Sequence, residues 1–289
     1  LVLANPVPAA AAWNREDHDR VLAAAIAAAD AAKVRGKAVT PFLLAFIVDA
    51  SGGTSLEVNL ALARNNVAVA ADVASRYAID GIHLDNVRYP GRQYSLDPFT
   101  QDACAADPAC AASSLDAWRP DYQRRQVTEL VARITQQTHA IRPGALVSAA
   151  VWPVYVSRPG WPSTSQGYAD YYQDSQAWVQ QGAIDAIAPM IYGSDIFTDV
   201  DIWGMIVADY AANAGTNGVL PGVGIETNAG ACVPFDRIAG QIATARALGT
   251  PGHALFSLKG LERCGYLAAL RAGPYAEPAT LPTGGSGGK

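Results

Sequence analysis

The stretch YAIDGIHLDNVRYPG, residues 77–91, decides how the rest of the chain is interpreted. Within it the apolar residues Ile82 and Leu84 alternate with His83 and Asp85, which is the period of a β-strand. The apolar side chains therefore share one face, and the polar side chains share the other face, which ends in an acid. This pattern is typical of a parallel strand whose apolar side is covered by helices.

The alternation of short strands with helices continues to residue 259. Five segments have strand character, and they are residues 79–85, 145–152, 184–192, 218–226 and 253–259. Helices are predicted between them, over about residues 119–141, 168–181, 199–214 and 234–248. Strands that are repeatedly followed by helices indicate parallel βαβ units. We therefore predict an α/β fold, a (β/α) TIM-type barrel with five recognisable βα units, where a closed barrel needs eight strands.

Residues 1–76 have a different character and are predicted to be mostly helical. Asn14 can cap a first helix that Gly36 ends, and two more helices are expected over about residues 41–51 and 55–76. The predicted domains are this helical segment, a barrel region over residues 77–272 and a flexible tail over residues 273–289. Three arrangements are open: the helices cover an open half-barrel, the missing strands come from another copy, or the chain is a fusion.

Composition excludes several classes of function. The net charge is −5 and there is no block of Lys or Arg, so no nucleic-acid partner is predicted. The most apolar window, residues 38–48, is too short for a membrane span. The sequence has no Gly-rich nucleotide loop, GxSxG, HExxH or calcium loop, and we predict neither a metal nor a cofactor.

The four cysteines lack the spacing of zinc ligands. The short loop between Cys104 and Cys110 favours a local disulfide, and Cys232 is then paired with Cys264. The alternative is four unpaired thiols, as is usual in the cytosol. The chain starts at Leu1 with neither a Met nor a basic n-region, as is expected after removal of a signal peptide or for a fragment. We predict a secreted or cell-envelope protein, and a cytoplasmic protein is the alternative.

Position along the strands selects the candidate acids. Asp85 and Glu226 each follow the apolar residues of a strand, at the carboxyl end where α/β barrels form their active sites. Asp80 lies at the start of its strand and is expected to be structural. Asp195, just after the segment 184–192, is a reserve acid, although a turn also favours Asp for local hydrogen bonding.

Four motifs resemble, in order, the later strands of the glycoside-hydrolase-like family ten proteins, and they are DGIHLDNVRYPG, DAIAPMIYGSD, LPGVGIE and GHALFSLKGL. The resemblance covers about residues 70–270 and implies a (β/α) barrel that acts on an oligo- or polysaccharide. It implies that Asp85 follows the fourth strand and Glu226 the seventh, where many barrel glycosidases carry their acid and nucleophile. We therefore predict glycoside hydrolysis by this pair of carboxylates.

Further side chains at the same strand ends are candidates for substrate binding. His83 can orient Asp85 or tune its proton affinity, and Arg88 and Tyr89 can bind sugar hydroxyls. Trp152 and Tyr192 can stack on the flat faces of sugars. Packing in the core or surface charge is the alternative interpretation of each of these residues.

A second resemblance concerns the first 76 residues. The motifs LVLANPVP, GKAVTPFLLAFI, GGTSLEVNLAL and NNVAVAADVA resemble the C-terminal quarter of pseudouridine-5'-phosphate glycosidases. The resemblance implies an active-site role for Asn59, whereas that family's catalytic Lys and Glu and its metal-binding Asp lie upstream of the matching segment. The alternative functions are therefore a fragment or fusion of this Mn-dependent glycosidase, and a non-catalytic carbohydrate-binding or chimeric barrel.

Overall fold

The computed structural model describes residues 7–35, 39–52, 54–92, 98–161 and 165–278. The described residues fall into two compact units. One unit comprises Leu1–Arg76 and Tyr89–Tyr122, and the other comprises Tyr77–Arg88 and Gln123–Lys289. The first segment of the first unit ends at Arg76, the residue after which a domain boundary is predicted. That this point separates two domains stays a prediction.

The first unit is helical. Its helices are α1 (Arg15–Ala31), α2 (Val39–Ala50), α3 (Thr54–Arg76), α4 (Pro98–Ala106), α5 (Pro108–Ala111) and the start of α6 (Leu115–Ile141). Asn14 caps α1 as predicted, because its Oδ1 accepts hydrogen bonds from the backbone N–H groups of Glu16 and Asp17. The expected end at Gly36 was wrong, since α1 ends at Ala31 and Lys33 has a positive φ of 55°.

The segment between Cys104 and Cys110 is helical and not the predicted loop. Asp107 ends α4 and caps α5 by accepting a hydrogen bond from the N–H of Ala109 at 2.8 Å. Pro108 occupies the first position of α5, where its missing N–H costs nothing. The predicted disulfide between Cys104 and Cys110 is present, and so is the one between Cys232 and Cys264.

The second unit contains five strands alternating with helices, as the sequence predicts. The strands are β1 (Gly81–Leu84), β2 (Leu146–Val151), β3 (Ala186–Pro189), β4 (Gly222–Gly224) and β5 (Ala254–Phe256). The helices that accompany them are the remainder of α6, α7 (Gly167–Asp170), α8 (Ser175–Gln180), α9 (Val200–Ala214), α10 (Phe235–Ala247), α11 (Leu258–Cys264) and α12 (Leu267–Ala272).

The pairs between the five named strands of the described residues are parallel. One sheet has the order β1-β2-β3 and the other pairs β4 with β5. A bridge between Ile187 and Val219, with a hydrogen bond from the N–H of Leu220 to the carbonyl of Ile187, connects β3 to the segment before β4. The strands follow one another in chain order, and within the described ranges they do not form a closed barrel.

Two predicted elements have different bounds. The single helix expected over residues 168–181 is interrupted between α7 and α8, where Tyr172 has a positive φ of 57° that a continuous helix cannot contain. The strand expected to reach residue 259 ends at Phe256, and Ser257 caps α11 by accepting from the N–H of Gly260. The fold is therefore mixed α/β with parallel strands shorter than predicted.

Helix α9 shows how the core of this unit is built. Its buried residues recur on one face, at Trp203, Ile206, Val207, Tyr210 and Ala214. The indole N–H of Trp203 donates to the carbonyl of Gly222 at 2.9 Å, so the helix is bound to β4 by a satisfied buried polar group. In the part of the chain that the structure describes, no helix has the length and apolar character of a membrane span.

Candidate functional site

The carboxyl ends of β1, β2 and β3 lie at one edge of the sheet, because the three strands are parallel and paired in register. Asp85 comes directly after β1, Trp152 directly after β2, and Tyr192 shortly after β3. The sequence placed these three side chains at strand ends, and the pairing of the strands brings the ends together.

His83 and Asp85 form the polar face of β1. The Nδ1 of His83 is 2.9 Å from the hydroxyl of Ser148, its register partner on β2, and Ser148 is buried. Although His83 is exposed as a whole, desolvation of its ring lowers its pKa, and the charge of Asp85 partly offsets this by raising the pKa. The neutral form of the imidazole is therefore favoured. Its Nδ1 makes the contact to Ser148, and its Nε2 does not take part in that contact.

Asp85 itself is exposed and weakly held. One carboxylate oxygen accepts a hydrogen bond from the N–H of Asn86 at 2.8 Å, and Asn86 has a positive φ of 60°. Among the residues that the structure describes, Asp85 forms no ion pair with Arg88. The carboxylate is thus accessible to a ligand at the strand end.

Arg88, three residues after Asp85 in the sequence, forms a cation–aromatic pair with Trp152 at the end of β2. The guanidinium carbon of Arg88 is 5.6 Å from the centre of the Trp152 ring, which stacks on Tyr171 with centroids 3.8 Å apart. The Nη1 atom of Arg88 is buried and has no hydrogen-bond partner among the described residues. A buried guanidinium N–H without a partner is costly, so this atom is suited to donate to an oxygen of a ligand.

Gln173 holds the two strand ends that carry these groups. Its Oε1 accepts from the N–H of Trp152 at 2.9 Å, and its Nε2 donates to the carbonyls of Val87 at 3.1 Å and Ala150 at 3.4 Å. The side chain is fully buried. Because one amide reaches both segments, it fixes the loop after β1 against the end of β2.

Tyr192 lies on the backbone of β4. A Cβ added to Gly222 would be 2.7 Å from Cε1 of Tyr192, and one added to Gly224 would be 2.8 Å from its Cβ. Only glycine permits this approach at either position. Burial raises the pKa of Tyr192, the charge of Asp85 raises it further, and Arg88 partly offsets the shift. Tyr192 is therefore within electrostatic range of both groups.

Glu226 follows β4 and is packed into a tightly bound loop. One carboxylate oxygen forms an ion pair with the guanidinium of Arg263 on α11. The other oxygen would be 3.0 Å from a Cβ at Gly260. The backbone of Glu226 bridges to Cys232, whose disulfide to Cys264 joins this loop to the end of α11. The side chain is 24% exposed, so it is less open than Asp85.

The remaining candidates have less distinctive surroundings. Asp195 is exposed and begins a short 3-10 helix, where its backbone carbonyl accepts from the hydroxyl of Thr198 at 2.7 Å. Tyr89 is half-buried and is the first residue of a segment of the other unit. Asn59 belongs to α3, and its side chain lies outside the part of the chain that the structure describes.

Three residues at the site were not predicted, namely Tyr171, Gln173 and Phe256. The ring of Phe256 stacks on Tyr192 with centroids 4.4 Å apart and planes at 8°. Their contacts are distant in sequence, so local patterns do not predict them.

Two parts of the chain match different families. Residues 1–76 match the family model described as Indigoidine synthase A like protein. The pseudouridine-5'-phosphate glycosidase of Frankia alni is 54% identical over 78 residues, which are 27% of this chain and 22% of that enzyme. The predicted similarity of this segment is confirmed.

The chain also has relatives that are named as glycosyl hydrolases. Glycosyl hydrolase YngK of Bacillus subtilis is 33% identical over 133 residues, which are 43% of this chain and 24% of YngK. The glycoside hydrolase domain of PgaB (BpsB) from Bordetella bronchiseptica has a similar fold, with a TM-score of 0.54 and 14% identity, over 73% of this chain and 61% of that chain. This chain therefore spans about a quarter of the length of the curated relatives it matches.

A further family model, described as Glycosyl hydrolase-like 10, matches residues 64–210, which is about half of the chain. The matched range contains β1, β2 and β3 and the side chains at their carboxyl ends, and it stops before Glu226. The chain belongs to the glycosyl hydrolase-like 10 family.

Proposed function

We propose that this protein is a glycoside hydrolase whose active site lies at the carboxyl ends of β1, β2 and β3. The observation that carries the proposal is the exposed carboxylate of Asp85 at the edge of the sheet where His83 and the Arg88–Trp152 pair also lie. A glycosidase needs a carboxyl group that reaches the scissile oxygen, together with donors that fix the sugar hydroxyls. Membership of the family supports a glycosidic bond as the target.

The five βα units are proposed to be the later part of a (β/α) barrel. The parallel strands follow one another in chain order, as barrel strands do, and the fold is similar to that of a glycoside hydrolase domain. In this arrangement Asp85 follows the fourth strand and Glu226 the seventh, with both acids at the end of the barrel where active sites form.

In the proposed reaction Asp85 and Glu226 are the two carboxyl groups. The protonated member gives its proton to the leaving oxygen as the C–O bond breaks, and the ionised member stabilises the positive charge at the anomeric carbon or bonds to that carbon. Water then forms the new C–O bond at the anomeric carbon and returns a proton to the carboxyl pair. Arg263 contacts the carboxylate of Glu226 through its guanidinium. Asp195 is kept as the reserve acid.

The proposed substrate is an oligo- or polysaccharide, bound by Arg88, Trp152 and Tyr192, with Tyr89 as a further candidate. Two disulfides weakly favour an extracellular protein, and we propose a secreted or envelope location.

The decisive experiment compares two aspartates of one strand. Reducing-sugar release is measured from a panel of soluble oligosaccharides with the wild-type chain, Asp85→Asn and the matched control Asp80→Asn, whose acid lies at the other end of β1. We expect Asp85→Asn to lower kcat by about 10³-fold, as loss of an acid/base group does, whereas Asp80→Asn retains activity. Equal activity of the two variants would contradict the assignment.

A second candidate function rests on the first unit alone. Its 54% identity to a pseudouridine-5'-phosphate glycosidase favours a fragment or fusion of such an enzyme, with Asn59 in the site. In that case Mn²⁺ would be required. Within the described ranges, no group of three His, Cys, Asp or Glu side chains is arranged to hold a metal, so no step is derived through the ion. Release of uracil from pseudouridine 5'-phosphate, measured with and without Mn²⁺, tests this alternative.

A further inference from the structure

The carboxyl end of β5 presents a large aromatic ring to solvent. Phe256 is 56% exposed, although burying a side chain of this size is favourable by about 2 kcal/mol. It is the last residue of β5, and β5 pairs with β4 in parallel register. Phe256 therefore lies at the carboxyl end of β5, as Asp85 lies at the carboxyl end of β1 and Tyr192 at that of β3. An exposed ring at this end of a parallel sheet needs a physical reason.

The ring is fixed, not loosely projecting. It stacks nearly parallel on Tyr192, with centroids 4.4 Å apart and planes at 8°. Tyr192 in turn is pressed against the backbone of Gly222 and Gly224. One face of Phe256 is thus backed by a continuous layer of ring and strand, and its exposed area is held in a single orientation. A surface that is already ordered loses little conformational entropy when a ligand binds.

We propose that the Tyr192–Phe256 stack is a sugar-binding subsite, in which the exposed face of Phe256 stacks on the apolar face of a pyranose ring. The inference rests on the proposed action on carbohydrate and adds a residue, Phe256, that the sequence did not suggest. Asp85 follows β1 and Tyr192 follows β3 at the same edge of one parallel sheet, so the subsite lies at the edge that carries the proposed acid.

The chemistry of the stack defines the ligand class. A phenyl ring offers neither charge nor hydrogen bond, so it selects a flat apolar surface. A β-linked pyranose whose hydroxyls are equatorial presents such a surface through its axial C–H groups. An α-linked sugar with axial hydroxyls does not. The subsite therefore favours β-linked glucose-type or N-acetylglucosamine-type residues.

Exposed aliphatic side chains of the same unit supply controls. Leu258 is 66% exposed and Leu267 is 50% exposed, and neither has a flat ring. If the exposed apolar surface served contact with another protein, Leu258 would contribute as much as Phe256. If it binds sugar, only the ring matters.

The experiment measures binding of cellohexaose and hexa-N-acetylchitohexaose by isothermal titration calorimetry. The variants are Phe256→Leu, which keeps apolar volume but removes the ring, Phe256→Trp, which keeps a ring, and Leu258→Ala. We expect Phe256→Leu to weaken binding of at least one probe about tenfold, and Phe256→Trp and Leu258→Ala to stay within about twofold of the wild type. Thermal melting of each variant checks that the fold is retained.

Several outcomes overturn the inference. They are no binding of either probe to the wild type, unchanged binding in Phe256→Leu, or an equal loss in Leu258→Ala. A change of oligomeric state in Phe256→Leu with unchanged sugar binding would assign the surface to protein contact instead. The inference and the proposed function are separable, because the role of Phe256 is tested by binding and the role of Asp85 by turnover. If Asp85→Asn turns over normally while Phe256→Leu loses binding, the hydrolase assignment of Asp85 fails and the subsite stands.

Discussion

The carboxyl ends of β1 and β4 both lead into an acid, but the two ends are held by different forces. Around Asp85 the contacts are hydrogen bonds and ring contacts, through Ser148, Gln173 and Trp152. Around Glu226 they are an ion pair to Arg263 and the disulfide between Cys232 and Cys264. The alternation of apolar and polar residues predicts that Asp85 and Glu226 each lie at the carboxyl end of a strand. The difference shows that position alone does not determine how accessible a carboxylate is.

The largest expected effect tests the covalent restraint at the β4 end. Replacing Cys232 and Cys264 by Ala removes a cross-link between residues 32 apart, and we expect a loss of about 3 kcal/mol in the free energy of unfolding. Removing the bridge between Cys104 and Cys110, only 6 residues apart, should cost less, because a shorter loop restrains the unfolded chain less.

Urea denaturation of the two double variants and the wild type measures this difference. Intrinsic fluorescence and circular dichroism are recorded together, so that separate transitions of the two units are detected. An equal or smaller loss for the pair at 232 and 264 would show that the β4 end does not depend on its disulfide.

The next effect concerns the hydrogen bonds at the β1 end. Gln173→Leu leaves the N–H of Trp152 without its acceptor, and we expect destabilisation of about 1–3 kcal/mol. The matched control is Gln241→Leu, because Gln241 is equally buried in the same unit but donates to a single carbonyl, that of Phe197 at 2.8 Å.

The two glutamine variants also differ in what they do to the site. Gln173→Leu frees the loop that carries Arg88 and should raise KM for an oligosaccharide, whereas Gln241→Leu should not. Thermal melting and steady-state kinetics of both variants check this prediction. If both leave KM unchanged, Gln173 supports the fold but does not position the site.

A smaller effect is expected from the ion pair at the β4 end. The side chain of Arg263 is 50% exposed, and exposed pairs contribute about 0.2–1 kcal/mol. A double-mutant cycle with Glu226→Gln and Arg263→Gln should therefore give a coupling energy below about 1 kcal/mol. A much larger coupling would mean that the pair is a principal support of this loop.

Local patterns in the sequence were sufficient for much of this fold. Each of the five predicted strand segments contains a strand, and Asn14 caps the predicted helix, because periodicity and capping depend on neighbouring residues. The break at Tyr172 was missed, since a positive φ at an aromatic residue has no sequence signal. The helices from Pro98 to Ala111 were missed because the cysteines suggested a loop.

The candidate site was predictable only in part, because sequence patterns depend on neighbouring residues and not on contacts between distant ones. Asp85, Trp152 and Tyr192 follow strands, and chain position is enough to find such residues. Gln173 and Phe256 act through partners that are distant along the chain, so their contacts appear only when β1, β2 and β3 pair and β5 lies beside β4. The alternation of side chains along the strand before Glu226 does not indicate that Arg263 contacts this carboxylate.

The smallest expected effect is a pH dependence that distinguishes the two ends. The pKa of His83 is lowered in the folded protein, so the unfolded chain binds the proton more readily below the ordinary value of 6.5. The contribution of neutral His83 to the free energy of unfolding is present above pH 6.5, and it is lost as the pH falls through the lowered pKa. His83→Gln should therefore flatten the decline of melting temperature between about pH 7 and 5. His253 has a pKa lowered by burial as well and remains in both proteins, so the difference between them isolates His83. Parallel melting curves over this range would show that desolvation at the β1 end is too weak to influence folding.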